Sequence, residues 1–352
     1  MPIIAHNGLP SYARLREEGM IVLPKEKADQ QYIRELHIGL LNMMPDAALA
    51  ATERQFFRLV GESNPIAQFY LHPFSLDALP RSDKAQAHID HYYERFADLR
   101  QQGLDALIIT GANVAGPNLA DQPFWRPLIE VIDWAAEHVT STLCSCLATH
   151  AVLEFRYGQR RVPQQEKTWG VFPHQVLDRH HPLVNDVNTR FDVPHSRWNQ
   201  VSRRQFETAG LHVLVESEQA GVHLATSEDG FRFVFFQGHP EYDTVSLLKE
   251  YKRELGLWQA GKRDKPGFPA NYLGRREQAI LNEFAGRLQQ GDTKSLADFP
   301  EDLVAGQIDN TWHDTAEGLV GNWMGLVYQL TNRERQLPFM DGIDPANPLG
   351  LY

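Results

Sequence analysis

Apolar positions along this chain follow two spacings, and the switch between them predicts its elements. From about residue 36, short unbroken apolar runs alternate with stretches whose apolar residues fall three and four apart, the signature of buried strands joined by crossover helices. Residues 36–41 form the first predicted strand. A helix is predicted over 47–60, with Phe56, Leu59 and Val60 as its apolar stripe and Thr52, Glu53 and Arg58 facing water. Residues 66–71 read as the next strand, Tyr92, Tyr93 and Phe96 sit at helical spacing, and 104–109 has the β-branched content of a buried strand. A helix over 128–137, a strand over 139–144 and a helix over 148–155 stopping near Gly158 follow. Later strands are predicted at 211–215, 222–225 and 231–236, with a Glu-Gln-Ala-Gly turn among them, and amphipathic helices at 275–289 and 313–331. The Pro- and Gly-rich tail over 340–352 reads as irregular.

This order predicts the α/β class: a flavodoxin-like parallel sheet with flanking helices over 35–255. An N-terminal extension over 1–34 precedes it, and a helical C-terminal extension over 256–352 packs on the same domain. Composition narrows the partners. The 352 residues carry 45 acidic and 34 basic side chains, a net charge of −11, with no basic run to track a phosphate backbone, so no nucleic acid is expected. A few placed Lys or Arg residues can still hold an anionic ligand. No apolar stretch approaches the roughly 20 residues of a membrane helix, and residues 1–8 lack the features of a secretory signal. With only Cys144 and Cys146 there is no disulfide framework, so the expected compartment is the reducing cytoplasm.

The chemistry concentrates where two predicted strands end. Cys146 lies where the strand ending at Cys144 turns into a helix, an elbow that exposes a sulfur and aims a helix N-terminus at it. The amide of Leu147 would donate to an oxyanion there, with a second donor from the Gly111-Ala112 turn after the strand at 104–109. The second signal is Gly238-His239-Pro240-Glu241: a histidine on a rigid turn, with a carboxylate two residues on to orient it. Cysteine is more often an inert buried hydrophobe, and Cys144 is read that way. A zinc site from Cys144, Cys146 and His150 lacks a fourth ligand, and no metal is expected. Lys167, Arg197 and Arg253 are surface charges unless the fold brings them to Cys146.

Taken in order, Leu15-Arg16-Glu17-Glu18, Leu41-Asn42-Met43-Met44-Pro45, Thr110-Gly111-Ala112, Ser141-Thr142-Leu143 with Cys146, Pro194-His195-Ser196-Arg197, Gly238-His239-Pro240-Glu241-Tyr242-Asp243 and Asn322-Trp323 resemble the homoserine O-acyltransferases of the O-succinyltransferase type, whose core is similar to class I glutamine amidotransferases. The resemblance implies an amidotransferase-like fold and a ping-pong transfer in methionine biosynthesis. Cys146 would take the acyl group from acyl-CoA as a thioester, and the hydroxyl of L-homoserine would collect it with His239 as base and Glu241 as orienter. It further implies that Lys167, Ser196 and Arg253 contact the amino acid, Arg253 pairing with its carboxylate. A homodimer is implied, and no cofactor, acyl-CoA being a substrate. Ala115 falls at the position that sorts donors, where glycine goes with succinyl and glutamate with acetyl. A small neutral residue there favours succinyl-CoA, with acetyl-CoA as the alternative donor and serine as the alternative acceptor. The sequence departs from the family pattern at Asp46-Ala47-Ala48-Leu49, at His150 and in an inserted stretch around 286–309. A glutaminase using the same triad is the competing enzyme, but the glycines and the glutamine usual around its nucleophile are missing from Ser145-Cys146-Leu147-Ala148.

Overall fold

The computed structural model describes residues 3–31, 33–63, 67–114, 116–290 and 296–351. Its strands in chain order are β1 (Ile3–Ala5), β2 (Val22–Pro24), β3 (Glu35–Leu41), β4 (Gln68–Phe74), β5 (Ala106–Ile109), β6 (Ser141–Ser145), β7 (Val162–Val176), β8 (Arg190–Gln200), β9 (His212–Ser217), β10 (Gly221–Thr226) and β11 (Phe233–Phe236). Among the described residues they form one sheet in the order β2-β1-β4-β3-β5-β6-β11-β10-β9-β7-β8.

From β2 across to β11 every pairing is parallel, as expected for strands connected by helices. Beyond β11 the sheet turns antiparallel through β10, β9, β7 and β8, so the expected parallel sheet is the larger part of a mixed one. The physical reason is the connection length. Short turns join β9 to β10 and β10 to β11, too short for a crossover helix. The region 1–34 adds β1 and β2 to the parallel edge.

The parallel strands are covered on both faces, so they read as continuous apolar runs. On one face Ile38, Leu40, Phe69, Leu143 and Val234 pack with Phe56 and Phe57 of the helix Asp46–Glu62 and with Val320, Trp323 and Met324 of the helix His313–Leu330. On the other, Leu41, Ile109, Cys144 and Phe235 pack with Leu128 and Val131 of the helix Trp125–His138 and with Ala151 and Val152 of the helix Leu147–Tyr157. A separate cluster joins Leu248 and Tyr251 to Leu281, Phe284, Phe299 and Trp312, so the part of the 286–309 stretch that is described packs against the helix Ser246–Gln259. The tail over 340–351 forms turns.

Two local expectations fail. Thr52 and Glu53 do not face water: Glu53 is fully buried, because Ser11 Oγ and Tyr93 OH donate to it at 2.6 Å each and His88 Nε2 lies 2.9 Å away. The helical spacing of Tyr92, Tyr93 and Phe96 does not make one helix, since Tyr93 is extended and separates Asp83–Tyr92 from Phe96–Gln102. The strand predicted from 66 begins at Gln68, and residue 66 itself lies outside the described residues.

Candidate active site

Three neighbouring parallel strands end side by side. β6 pairs with β5 on one side and β11 on the other, in registers that set Cys144 against Ile109 and Ser145 against Phe236. Gly111, Cys146 and His239, far apart in sequence, therefore leave the sheet at one carboxyl edge, where open α/β sheets bind ligands. Cys146 takes φ 51° and ψ −106°, a backbone conformation that a residue with a side chain avoids, costing about 1–3 kcal/mol. The surroundings enforce it. Its N–H donates to Phe236 O at 2.7 Å, and Thr149 Oγ1 sits 2.8 Å from Cys144 O and 2.9 Å from Phe236 O. Cys144 is fully buried in the core, which pushes its thiol up.

His239 faces Cys146 closely enough for the charge of each to shift the other, and His239 Nδ1 lies 2.8 Å from Glu241 Oε1. Burial alone would raise the Cys146 thiol, but the charge of His239 and then that of Arg197 more than offset that and hold the thiol below its ordinary value. His239 moves the opposite way. Burial would lower it, whereas Cys146 and Glu241 hold it well above an ordinary imidazole. Both shifts favour a thiolate–imidazolium pair. Leu147, as the first helical residue, has an N–H that no helix carbonyl satisfies. Gly111 lies against the same spot: a β-carbon built there would be 3.5 Å from Cys146 Cβ and 3.9 Å from Leu147 N.

A second cluster adjoins the histidine. Tyr242 stacks on the His239 ring at 4.4 Å between centroids, and its hydroxyl donates to Glu250 Oε1 at 2.8 Å. Glu250 also receives Ser196 Oγ at 2.6 Å and Lys167 Nζ at 3.1 Å. Burial pushes Glu250 up, but Lys167, Ser196 and Tyr242 together bring it below the usual carboxylate range. β8 is tied to the catalytic turn, since His239 N donates to Pro194 O at 2.7 Å. Cys146 also lines a small cavity of about 70 Å³ with Leu147, His150, Arg161, Ser196 and Arg197. A larger cleft of about 1050 Å³ opens on the far side of Glu241, and Cys146 is not on its walls.

Residues 2–333 match the family model of homoserine O-succinyltransferase. The chain belongs to the homoserine O-succinyltransferase family. It is 68% identical over 351 residues to a Thiobacillus denitrificans protein named homoserine O-succinyltransferase, covering 100% of both chains. A protein of the same name from Allochromatium vinosum is 66% identical over 356 residues, covering 100% of this chain and 99% of its own. Among solved structures, a glutamine amidotransferase from Methylobacillus flagellatus aligns over 83% of this chain and 95% of its own with TM-score 0.45 and 11% identity, too remote to bear on activity. Membership of the homoserine O-succinyltransferase family makes the chain an acyltransferase, as the ordered motifs imply, and no helix among the described residues is long and apolar enough to cross a membrane.

Of the residues that the sequence singles out, by strand-end position or by resemblance, the structure gathers Gly111, Ala112, Cys146, Leu147, His239 and Glu241 at the strand ends, and sets Lys167 and Ser196 together on Glu250. Arg253 is over half exposed and paired to Glu254 at 3.1 Å, and its charge also helps to lower Glu250. Ala115 lies outside the described residues. His150 hydrogen-bonds Gln237 at 3.0 Å, and burial lowers it to about 3. Two features escaped the sequence reading. Glu250 carries no motif of its own, and the outer half of β7 is polar enough to read as loop, which hid β8 with it; the one available signal was Tyr242, three positions past His239.

Proposed function

We propose that this enzyme transfers the succinyl group of succinyl-CoA to the hydroxyl of L-homoserine through a thioester on Cys146. The observation that carries the reading is the order Cys146, His239, Glu241 at adjacent strand ends, in a chain whose relatives bear the name homoserine O-succinyltransferase. The Cys146 thiolate attacks the thioester carbonyl. The tetrahedral oxyanion accepts hydrogen bonds from the Leu147 N–H and from an amide of the Gly111-Ala112 turn. As the carbonyl re-forms, the bond to the CoA sulfur breaks, and His239 gives its proton to the leaving thiolate.

Homoserine then enters against Lys167, Ser196 and Arg253, and Arg253 exchanges Glu254 for the substrate carboxylate. His239 takes the hydroxyl proton, the oxygen attacks the acyl carbon, and the thiolate of Cys146 departs. Glu241 keeps the imidazole oriented and stabilises its charged form in both half-reactions. This activity belongs to methionine biosynthesis in the cytoplasm, carried out by a homodimer and without a cofactor.

The test is intact-protein mass spectrometry after brief incubation with succinyl-CoA or acetyl-CoA, with no acceptor present. A succinyl adduct that homoserine discharges and that Cys146→Ala cannot form is the expected result. An acetyl adduct would reassign the donor. Turnover in Cys146→Ala near that of the parent would overturn the mechanism.

A further inference from the structure

We infer that Arg197 is the anchor for the terminal carboxylate of the succinyl group, holding it in the small cavity beside Cys146. The inference rests on the acyl-transfer reading above and says how the donor is recognised. Arg197 is 4% exposed and lines that cavity together with Cys146, Leu147, Arg161 and Trp198. Its Nη2 donates to Ala220 O, while Nε and Nη1 have no hydrogen-bond partner among the described residues. A guanidinium that served only the fold would spend its fork on carbonyls or a carboxylate, because a buried charge without partners is costly.

Among the described residues the one anionic group that favours its charge is Cys146. That partner is transient. Once the thiolate becomes a neutral thioester, Arg197 faces no anion unless the acyl group brings one. A succinyl group brings a carboxylate as the thiolate charge disappears, and an acetyl group does not. The neighbouring Arg161 adds positive charge to the same cavity, but its Nε and Nη2 are already given to the carbonyls of Pro117, Val114 and Gly116. Of the two, Arg197 has given away fewer of its donors.

The experiment measures the rate of adduct formation on Cys146, without acceptor, from succinyl-CoA and from the analogue whose terminal carboxylate is an amide. In the parent the amide donor should acylate at least ~100-fold more slowly, the scale on which a buried charge rejects a ligand lacking its partner. In Arg197→Gln the two donors should converge to within about fivefold of each other, and Arg197→Lys should restore only part of the preference, since it keeps the charge without the fork. Equal rates for the two donors in the parent overturn the inference, as does a parallel loss on both in Arg197→Gln. If the variants do not fold, the parent's two rates decide. A parent that forms no adduct with either donor or with acetyl-CoA overturns the thioester reading, and this inference with it.

Discussion

Replacing Glu241 by Gln keeps the size of the side chain and removes its charge 2.8 Å from His239 Nδ1, in a site where both side chains are less than a tenth exposed. The hydrogen bond to a charged partner is worth about 1.5–3 kcal/mol, and breaking a buried ion pair costs about 3–5 kcal/mol. The loss falls on the imidazolium that accompanies the reactive thiolate. With about 3–4 kcal/mol lost and ~1.4 kcal/mol per tenfold in rate, acylation of Cys146 should slow by about 10²–10³-fold. The pH profile carries the sign. In the parent, Cys146 titrates below the ordinary thiol value of ~8.5 and His239 above an ordinary imidazole, so the reactive pair persists across neutral pH. Without the Glu241 charge His239 drops, while the upward push of that carboxylate on the Cys146 thiol is lost, so the alkaline limb of the acylation rate, where the imidazolium gives up its proton, moves to lower pH. The assay is quenched-flow mass spectrometry of the adduct from ~pH 5 to ~9. A Glu241→Gln variant that acylates within about threefold of the parent, with an unmoved alkaline limb, would refute the orienting role.

Three other perturbations follow from the packing. Gly238→Ala would bring its β-carbon to 2.6 Å from Val193 Cγ1 and 2.8 Å from His195 Nε2, so it should cost about 1–3 kcal/mol in chemical denaturation and displace the turn that carries His239. Glu250→Gln removes the anion that Lys167, Ser196 and Tyr242 share; KM for homoserine should rise about tenfold, with acceptor-free acylation changing less, and unchanged KM would show that the cluster does not touch the acceptor. Trp323→Ala empties a buried site whose indole donates to Ser141 Oγ at 2.8 Å, at the root of β6. It should destabilise by about 3–5 kcal/mol within a single calorimetric transition, whereas a separate early transition would show that the helix His313–Leu330 unfolds on its own.

The sequence alone determined the parallel half of the fold and the two catalytic turns. Strands covered on both faces must be apolar at every position, and crossover helices must be amphipathic, so β3, β5, β6 and β11 and the helices between them are written in local composition. Cys146 and His239 were legible because each follows such a strand directly, and strand ends in this architecture converge whatever their distance in sequence. Tertiary structure decided the rest. β7 and β8 alternate too weakly to be read as strands, since the outer half of β7 is solvent-exposed and is held by its partner strand rather than by core burial. Glu53 and Glu250 look like water-facing helix positions, and they are buried only because donors from distant segments converge on them. Arg197 is written like a surface charge as well. Its burial and its unspent donors come from the folding of the β8 edge over Cys146, a long-range arrangement that no local pattern of residues encodes.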